Sequence, residues 1–248
     1  MNLNAEQRKW YEAACEKIDQ QRLKQLIFDL TAHHSPTGAE REASEFMTEY
    51  MNNFGMDAKY QAITETSGNT VGRVHGSGDG PNLMLYAPID TLLEGDPEKD
   101  LPHAGPEMRA DMLPSPYIDG DLVIGLGASN PKSMVATIAE TANCIVEAGV
   151  PLKGDLIVAS AGGGMPWIVP ERNNAGISNG VSHMLSHGVS PDFGIIVKPW
   201  DEVYYEHPGM IWIKVTCWGS MGYAGIPRGT PGFRSSMVPA AKVILEIE

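Results

Sequence analysis

Residues 82–91, with the sequence NLMLYAPIDT, begin as an apolar run and end in the polar pair Asp90-Thr91. A second apolar run, LIVA, occupies residues 156–159, and a third, FGIIV, occupies residues 193–197. Between the first two, apolar residues at helical spacing predict a helix over residues 131–148. Nearly continuous apolar strands that alternate with helices are typical of a sheet buried on both faces. The sequence therefore predicts an α/β fold with helices on both sides of its sheet.

The flanking segments carry their own patterns. A Ser-Pro-Thr-Gly turn at residues 35–38 precedes an amphipathic helix that ends at Gly55. Further helices are predicted by apolar spacing over residues 6–32 (one or two helices), near 181–186 and over 237–248. Further short strands are predicted at residues 58–64, 70–75 and 122–124, separated by Gly, Asp and Ser turns.

Composition and charge narrow the class of protein. Of the 248 residues, 42% are hydrophobic and 20% are charged, as in ordinary globular proteins that bury a sizeable core. The net charge of −13 disfavours binding to phosphate backbones or anionic lipid. Three dispersed cysteines without metal-ligand spacing, and no signal peptide or membrane-span pattern, predict a cytoplasmic protein without nucleic acid or membrane partners.

The residues that follow each apolar run are the candidates for chemistry, because ligands of open α/β sheets bind at the carboxyl ends of the strands. Four such segments are present: APIDT at 87–91, GLGASNPK at 125–132, SAGGG at 160–164 and VKP at 197–199. We expect Pro88, Asn130, Gly164 and Lys198 to converge at one end of the sheet.

Six blocks, in order and spacing, resemble a family of zinc-dependent aminoacylases and deacetylases. The family includes acetylornithine deacetylase, succinyl-diaminopimelate desuccinylase and carboxypeptidase G-like enzymes. The blocks are SPTGAE (35–40), APIDT (87–91), DGDLVIGLGASNPK (119–132), DLIVASAGGG (155–164), PDFGIIVKP (191–199) and GSMGYAGIP (219–227). The resemblance implies a three-layer, zinc-peptidase-like catalytic domain over residues 1–209, incomplete at its C-terminal part. It also implies the start of a smaller α+β lid and dimerisation domain over residues 210–248.

The family binds zinc or cobalt, and the resemblance implies which positions would hold it. Its metal-binding His corresponds to Pro88, its bridging Asp to Asn130, and its general base to Gly163. The next two carboxylate ligands correspond to Gly164 and Lys198. Because proline and glycine side chains carry no ligand atom and a neutral amide is a poor zinc ligand, we expect no metal and no cofactor.

A few polar residues of the family's blocks remain. Asp90 matches the Asp that orients the metal-binding His. In the block at residues 119–132, the bridging Asp is replaced and Lys132 is the family residue that remains. Tyr223 stands where the family has a substrate-contacting His in the lid. Metal-assisted amide hydrolysis needs a metal to polarise the carbonyl and a carboxylate to accept a proton. The remaining residues supply neither a set of metal ligands nor the carboxylate at the general-base position.

The preferred hypothesis is a degenerate homologue that serves as a non-catalytic or regulatory subunit of an active paralogue, in a homo- or heterodimer. A second hypothesis is hydrolysis of an amide or cyclic amide with altered chemistry, using Asp90, Lys132, Lys198 and Tyr223. A third is a metal-free module that binds a small carboxylate through its two lysines. The resemblance also implies an uncovered apolar sheet edge and an uncovered face on the helix at residues 237–245.

Two other motifs could indicate a catalytic or metal site. Ser129 and Lys132 have the SxxK spacing of some serine acyl-enzymes, although the companion motifs of those enzymes are absent. His183 and His187 have the i, i+4 spacing of a metal-binding pair on one helix face, without the Glu of an HExxH motif.

Overall fold

The structure, a computed structural model, describes residues 3–165, 178–199, 202–206, 215–220 and 231–247 of the chain, without the side chain of His103. The helices are α1 (Ala5–Cys15), α2 (Gln20–Ala32), α3 (Arg41–Asn53), α4 (Pro97–Ala104), α5 (Ser133–Glu147), α6 (Asn179–Ser186) and α7 (Met237–Ile247). The strands are β1 (Asp57–Ala62), β2 (Gly68–Val74), β3 (Leu83–Pro88), β4 (Tyr117–Asp119), β5 (Leu122–Ile124), β6 (Leu156–Ala161) and β7 (Phe193–Ile196). A short 3₁₀ turn at Ala110–Met112 and a π-type turn at Ala128–Lys132 complete the elements.

The main sheet has five strands in the order β1-β2-β6-β3-β7. The strand β6 lies at its centre and all of its residues are buried, which agrees with the apolar run that predicted it. The strands β3, β6 and β7 run parallel, with Tyr86 opposite Ala159 on one side and Ile196 on the other. This register brings the carboxyl ends of the three strands to the same edge of the sheet.

Helices cover both faces of this sheet. On one face α5 packs on β3 and β6, α3 packs on β1 and β2, and α2 packs against both helices. Leu30, Met47 and Ile138 of these three helices are buried in the core on this face. On the other face Met184 of α6 packs with Tyr86 and Ile157. Each buried aliphatic side chain stabilises the fold by about 1.5–3 kcal/mol relative to exposure. The predicted α/β sheet with helices on both faces is confirmed.

One predicted strand lies elsewhere. Among the described strands, Leu122–Ile124 pairs only with Tyr117–Asp119, as a separate two-stranded hairpin outside the main sheet. A two-residue loop joins the two strands, and its Gly120 has a φ of +56°, a conformation that glycine adopts without steric cost. The segment that carries Asn130 therefore follows a peripheral hairpin and not a strand of the main sheet.

The chain divides into two compact units, Met1–Glu202 and Val203–Glu248. The boundary that the resemblance implied, between residues 209 and 210, lies outside the described residues. In the second unit, the amide of Ser220 donates to the Arg234 carbonyl oxygen over 2.7 Å, which joins the extended segment 215–220 to the chain before α7. None of the helices in the described ranges is long and apolar enough to cross a bilayer.

Candidate functional site

The ends of β3 and β6 place Pro88 and Gly164 in direct contact. Pro88 pairs with Ala161, the last residue of β6, and the amide of Ile89 donates to the Ala161 carbonyl oxygen over 3.1 Å. A Cβ atom added to Gly164 would lie 2.6 Å from Cβ of Pro88 and 2.9 Å from Oδ1 of Asp90. Glycine at this position therefore permits the loop after β6 to close against the end of β3.

Asp90 is fully buried beneath this loop, and three donors engage its two carboxylate oxygens. The amide of Gly164 donates to Oδ1 over 2.8 Å, and the amide of Met165 donates to Oδ2 over 2.9 Å. The Thr37 hydroxyl also donates to Oδ2, over 2.8 Å. Burial raises the pKa of Asp90, and these donors oppose that rise by stabilising the charged form. Asp90 thus fastens the loop that follows β6.

Glu40 is a second buried carboxylate at the same end of the sheet. Its Oε1 accepts hydrogen bonds from the amide of Gly38 over 2.6 Å and from the amide of Gly163 over 2.9 Å. Burial raises the pKa of Glu40, the charge of Asp90 raises it further, and a hydrogen bond from Ser67 lowers it. Sequence reasoning did not single out Glu40, although its position directly after the turn at residues 35–38 was a signal that could have found it.

Lys132 directly precedes α5 in the chain, and its side chain reaches the carboxyl end of α2. The side chain is almost completely buried, and Nζ donates to the carbonyl oxygens of Leu30 over 2.8 Å and of His33 over 2.5 Å. These two carbonyls lie at the carboxyl end of α2, where a positive charge is favoured. Burial lowers the pKa of Lys132 to about 7. Within the described part of the chain, the hydrogen bonds of Lys132 Nζ go to these backbone carbonyls and none goes to Asp90.

The SxxK hypothesis finds no geometric support in the described residues. Ser129 is exposed, and its carbonyl oxygen accepts a hydrogen bond from the Ser133 hydroxyl over 2.5 Å. The ammonium of Lys132, which would have to activate the serine, is instead engaged at the end of α2. A lysine that activates a serine must lie within hydrogen-bond reach of the hydroxyl, and no such contact is found.

The remaining candidates are more peripheral. Asn130 and Lys198 are both exposed. Lys198 lies two residues beyond the end of β7, which runs parallel to β3, so it reaches the same edge of the sheet as Pro88. Asn130 belongs to the π-type turn, which packs against β3. Tyr223 lies outside the described residues.

The residues at this edge do not fit a metal ion. Pro88, Gly163 and Gly164 offer no side-chain ligand, and both oxygens of Asp90 already accept hydrogen bonds. Within the described ranges, no three His, Cys, Asp or Glu side chains are grouped so that they could hold a metal. His183 and His187 stack face to face with ring centroids 3.9 Å apart, and His187 Nδ1 lies 2.7 Å from the His183 carbonyl oxygen.

The chain has the α/β fold of amide-bond hydrolases of the peptidase type, which confirms the predicted resemblance at the level of the fold. No family model matches the sequence. A tripeptidase from Staphylococcus aureus matches with a TM-score of 0.51 at 20% identity, over 72% of this chain and 43% of that one. The aminopeptidase PepT from Bacillus cereus matches with a TM-score of 0.51 at 15% identity, over 93% and 57% respectively. LapB from Legionella pneumophila matches with a TM-score of 0.50 at 14% identity, over 75% and 44%.

The chain therefore spans about half the length of the solved structures that it matches. Identities of 14–20% establish a shared fold and leave the chemistry to be argued from this chain's own residues.

Proposed function

We propose that this chain is a non-catalytic homologue of metal-dependent amide-bond hydrolases and acts as a structural or regulatory subunit beside an active paralogue. The observation that carries the proposal is the bonding of Asp90. In a working site of this kind a carboxylate orients a metal ligand, whereas here it holds the loop after β6 through the amides of Gly164 and Met165. The carboxylate at the end of β3 therefore holds the loop after β6 in place and does not orient a metal ligand.

The second hypothesis, amide hydrolysis with altered chemistry, has less support. It requires Asp90, Lys132 and Lys198 to act on one substrate. Two backbone carbonyls accept hydrogen bonds from the Lys132 ammonium, and three donors engage the Asp90 carboxylate. Both side chains are buried, so neither is presented to a substrate. The third hypothesis, carboxylate binding by two lysines, loses Lys132 for the same reason.

Two measurements on the purified protein test the catalytic half of the proposal. We expect less than one zinc or cobalt ion per ten chains by elemental analysis. We also expect no hydrolysis of N-acetylamino acids, dipeptides or tripeptides above background when either metal is added. Turnover at an ordinary enzymatic rate of about 1 s⁻¹ or faster would contradict the proposal. An Asp90→Asn variant is the control, because genuine activity at this site must respond to it.

The partner is tested by tagging the chain in its native source and identifying the proteins that co-purify. We expect a homologue of the same fold that carries the His, Asp and Glu residues missing here, and we expect its activity or stability to change when this chain is removed. Recovery of the chain alone, together with unchanged activity of every such homologue, would overturn the subunit assignment.

A further inference from the structure

The strand β7 lies at the edge of the main sheet, and among the described strands its only neighbour is β3. The amides of Phe193 and Val197 donate to carbonyl oxygens of segment 82–86, over 3.1 and 2.9 Å. Because backbone groups point to alternate sides along a strand, the N–H and C=O groups of Gly194 and Ile196 point away from β3. Gly194 is exposed, and since it has no side chain, the exposed surface is that of the main chain. The outer edge of β7 is therefore accessible to another strand.

The charged residues that flank β7 have opposite signs and stand symmetrically about its middle. Asp192 lies as many residues before Ile195 as Lys198 lies after it. Both charged residues are exposed, and the Asn82 amide donates to Asp192 Oδ2 over 2.7 Å, which fixes that carboxylate beside the strand. When two copies of β7 pair antiparallel about a two-fold axis at Ile195, Asp192 of each copy lies opposite Lys198 of the other. This arrangement places opposite charges together at both ends of the pair.

The same register also satisfies the main chain and the apolar side chains. Gly194 of one copy lies opposite Ile196 of the other, so their outward N–H and C=O groups exchange hydrogen bonds on both sides of the axis. Ile195 meets its own counterpart, and Phe193 meets Val197. Because these three residues alternate with the outward pair, their side chains share one face, where aromatic and β-branched neighbours on paired strands attract each other.

Other registers lose the charge pairing. Moving the axis to Gly194 or to Ile196 leaves Asp192 and Lys198 opposite uncharged residues. Charges across an interface select register and partner more than they add affinity. The net charge of −13 makes copies of this chain repel one another in general, so a neutral strand flanked by balanced charges is a suitable place for them to meet.

We propose that two copies of this chain join at β7, so that their five-stranded sheets become one continuous sheet across a two-fold axis at Ile195. Asp192 of each copy pairs with Lys198 of the other and fixes the register. The strand is short, so this pairing is reversible and depends on protein concentration. The inference goes beyond the proposed subunit role and does not depend on it, because it uses only the edge of the sheet.

Sedimentation velocity of the full chain measures the dissociation constant of the dimer. Asp192→Lys and Lys198→Asp each bring like charges together at both ends, so each variant alone should dimerise about tenfold more weakly or worse. An equal mixture of the two variants restores opposite charges at both ends of a mixed dimer and should recover the wild-type affinity to within about threefold. Lys59→Asp makes the same charge change on β1, the opposite edge of the sheet, and should leave dimerisation unchanged.

Lys198→Asp leaves the hydrogen bond between Asn82 and Asp192 in place, so its effect is informative even where Asp192→Lys disturbs local folding. Dimerisation of Lys198→Asp as tight as that of the wild type would overturn the proposal. A mixture that associates no more tightly than its two components would overturn it as well.

Disulfide crosslinking tests the register. Ile195→Cys places two cysteines opposite each other with Cα atoms about 4.5 Å apart, within the range of a disulfide, and should crosslink under mild oxidation. Ile196→Cys places them diagonally, about 7–8 Å apart, and should not. Peptide mass spectrometry identifies the bond, because the chain has three cysteines of its own. A monomeric wild type, equal crosslinking at both positions, or a complex with a homologue that blocks the Ile195→Cys disulfide would each overturn the proposal.

Discussion

Lys132 carries its charge into the interior, where backbone carbonyls accept the hydrogen bonds of its ammonium. The two carbonyls at the end of α2 compensate the ammonium in part, yet burial still lowers its pKa from 10.5 to about 7. The unfolded chain therefore binds a proton at Lys132 between about pH 7 and 10.5 that the folded chain has released. Under this linkage, folding stability rises with pH across that window and is lowest, from this group, below pH 7.

The first prediction compares the wild type with Lys132→Met by urea unfolding at pH 6, 7, 8 and 9. We expect the wild type to gain up to about 1.4 kcal/mol per pH unit relative to the variant above pH 7, and nothing below it. Lys59→Met, at an exposed lysine, is the control and should show no such gain. A constant difference between wild type and Lys132→Met from pH 6 to 9 would show that the ammonium is solvated.

Gly164 is the second residue whose environment makes a sharp prediction. A methyl group there would meet Pro88 and Asp90 at less than 3.0 Å, so the loop must shift and its hydrogen bond to Asp90 must lengthen. We expect Gly164→Ala to lower the free energy of unfolding by about 1–3 kcal/mol. Gly194→Ala, whose added Cβ has no neighbour nearer than 4.0 Å, should change it by less than about 0.5 kcal/mol. Equal effects would refute the close packing.

The sequence predicted which residues lie at the strand ends, but it did not predict which partners their side chains bind. Of the four residues expected to converge, Pro88 and Gly164 lie in contact, because parallel strands bring their carboxyl ends to one edge of the sheet. The strand-end rule could not foresee that backbone amides of the loop after β6 would bind Asp90 or that Lys132 would reach the end of α2, since both depend on contacts between residues more than seventy positions apart. Tertiary contacts of this kind leave no local pattern in the sequence.

Among the elements, α2 and α5 are joined by a network of charged side chains. Arg22 of α2 pairs with Glu140 over 2.7 Å and with Glu147 over 2.7 Å, and the Glu140 side chain is only 5% exposed. Glu140 also accepts the amide of Asp19, the N-cap of α2. One carboxylate thus fixes both the start of α2 and its distance from α5.

We therefore expect Glu140→Ala to destabilise the protein by about 3 kcal/mol, the lower end of the range for a broken buried pair because Glu147 still pairs with Arg22. Arg41→Ala breaks the exposed pair with Glu45, also 2.7 Å long, and should cost less than about 0.5 kcal/mol. Thermal or chemical denaturation of the two variants measures their free energies of unfolding. Similar decreases in the two variants would mean that burial does not distinguish these ion pairs.

The helices and strands themselves were easier to predict than the elements with which each one pairs or packs. Apolar spacing indicated α3 and α5, and apolar runs indicated β3 and β6, because both signals report burial of the element's own residues. The run at Leu122–Ile124 gave the same apolar signal but pairs in a hairpin, with Leu122 63% exposed. A three-residue run is too short for periodicity to tell a central strand from a peripheral one.

At the scale of the whole molecule, β7 is the edge strand of the described sheet and is unusually apolar for that position. Phe193, Ile195 and Ile196 are 51–63% exposed, and the strand carries no charge, although edge strands commonly carry lysine or proline. This agrees with the expected uncovered sheet edge. In the second unit, Met237, Ile244 and Leu245 of α7 are likewise 63–78% exposed.

We predict that the isolated chain associates as its concentration rises, and that Ile195→Lys reduces the association by placing a charge on the edge. Light scattering or sedimentation over a hundredfold range of concentration measures it. Tyr117→Lys, at a residue 46% exposed on the peripheral hairpin, is the control and should not reduce the association. A monodisperse wild-type monomer with a cooperative melt would contradict the prediction.

The strand order has a consequence for synthesis on the ribosome. The strand β3 pairs only with β6 and β7, and β6 begins about seventy residues after β3 has been made. At roughly 5–20 residues per second, the nascent chain spends roughly 4–14 s with the run Leu83–Pro88 complete and without a neighbouring strand. Slow codons within residues 89–155 lengthen that interval, whereas slow codons after β7 do not. The yield of folded protein should therefore depend more on translation speed across residues 89–155 than across residues 197–248.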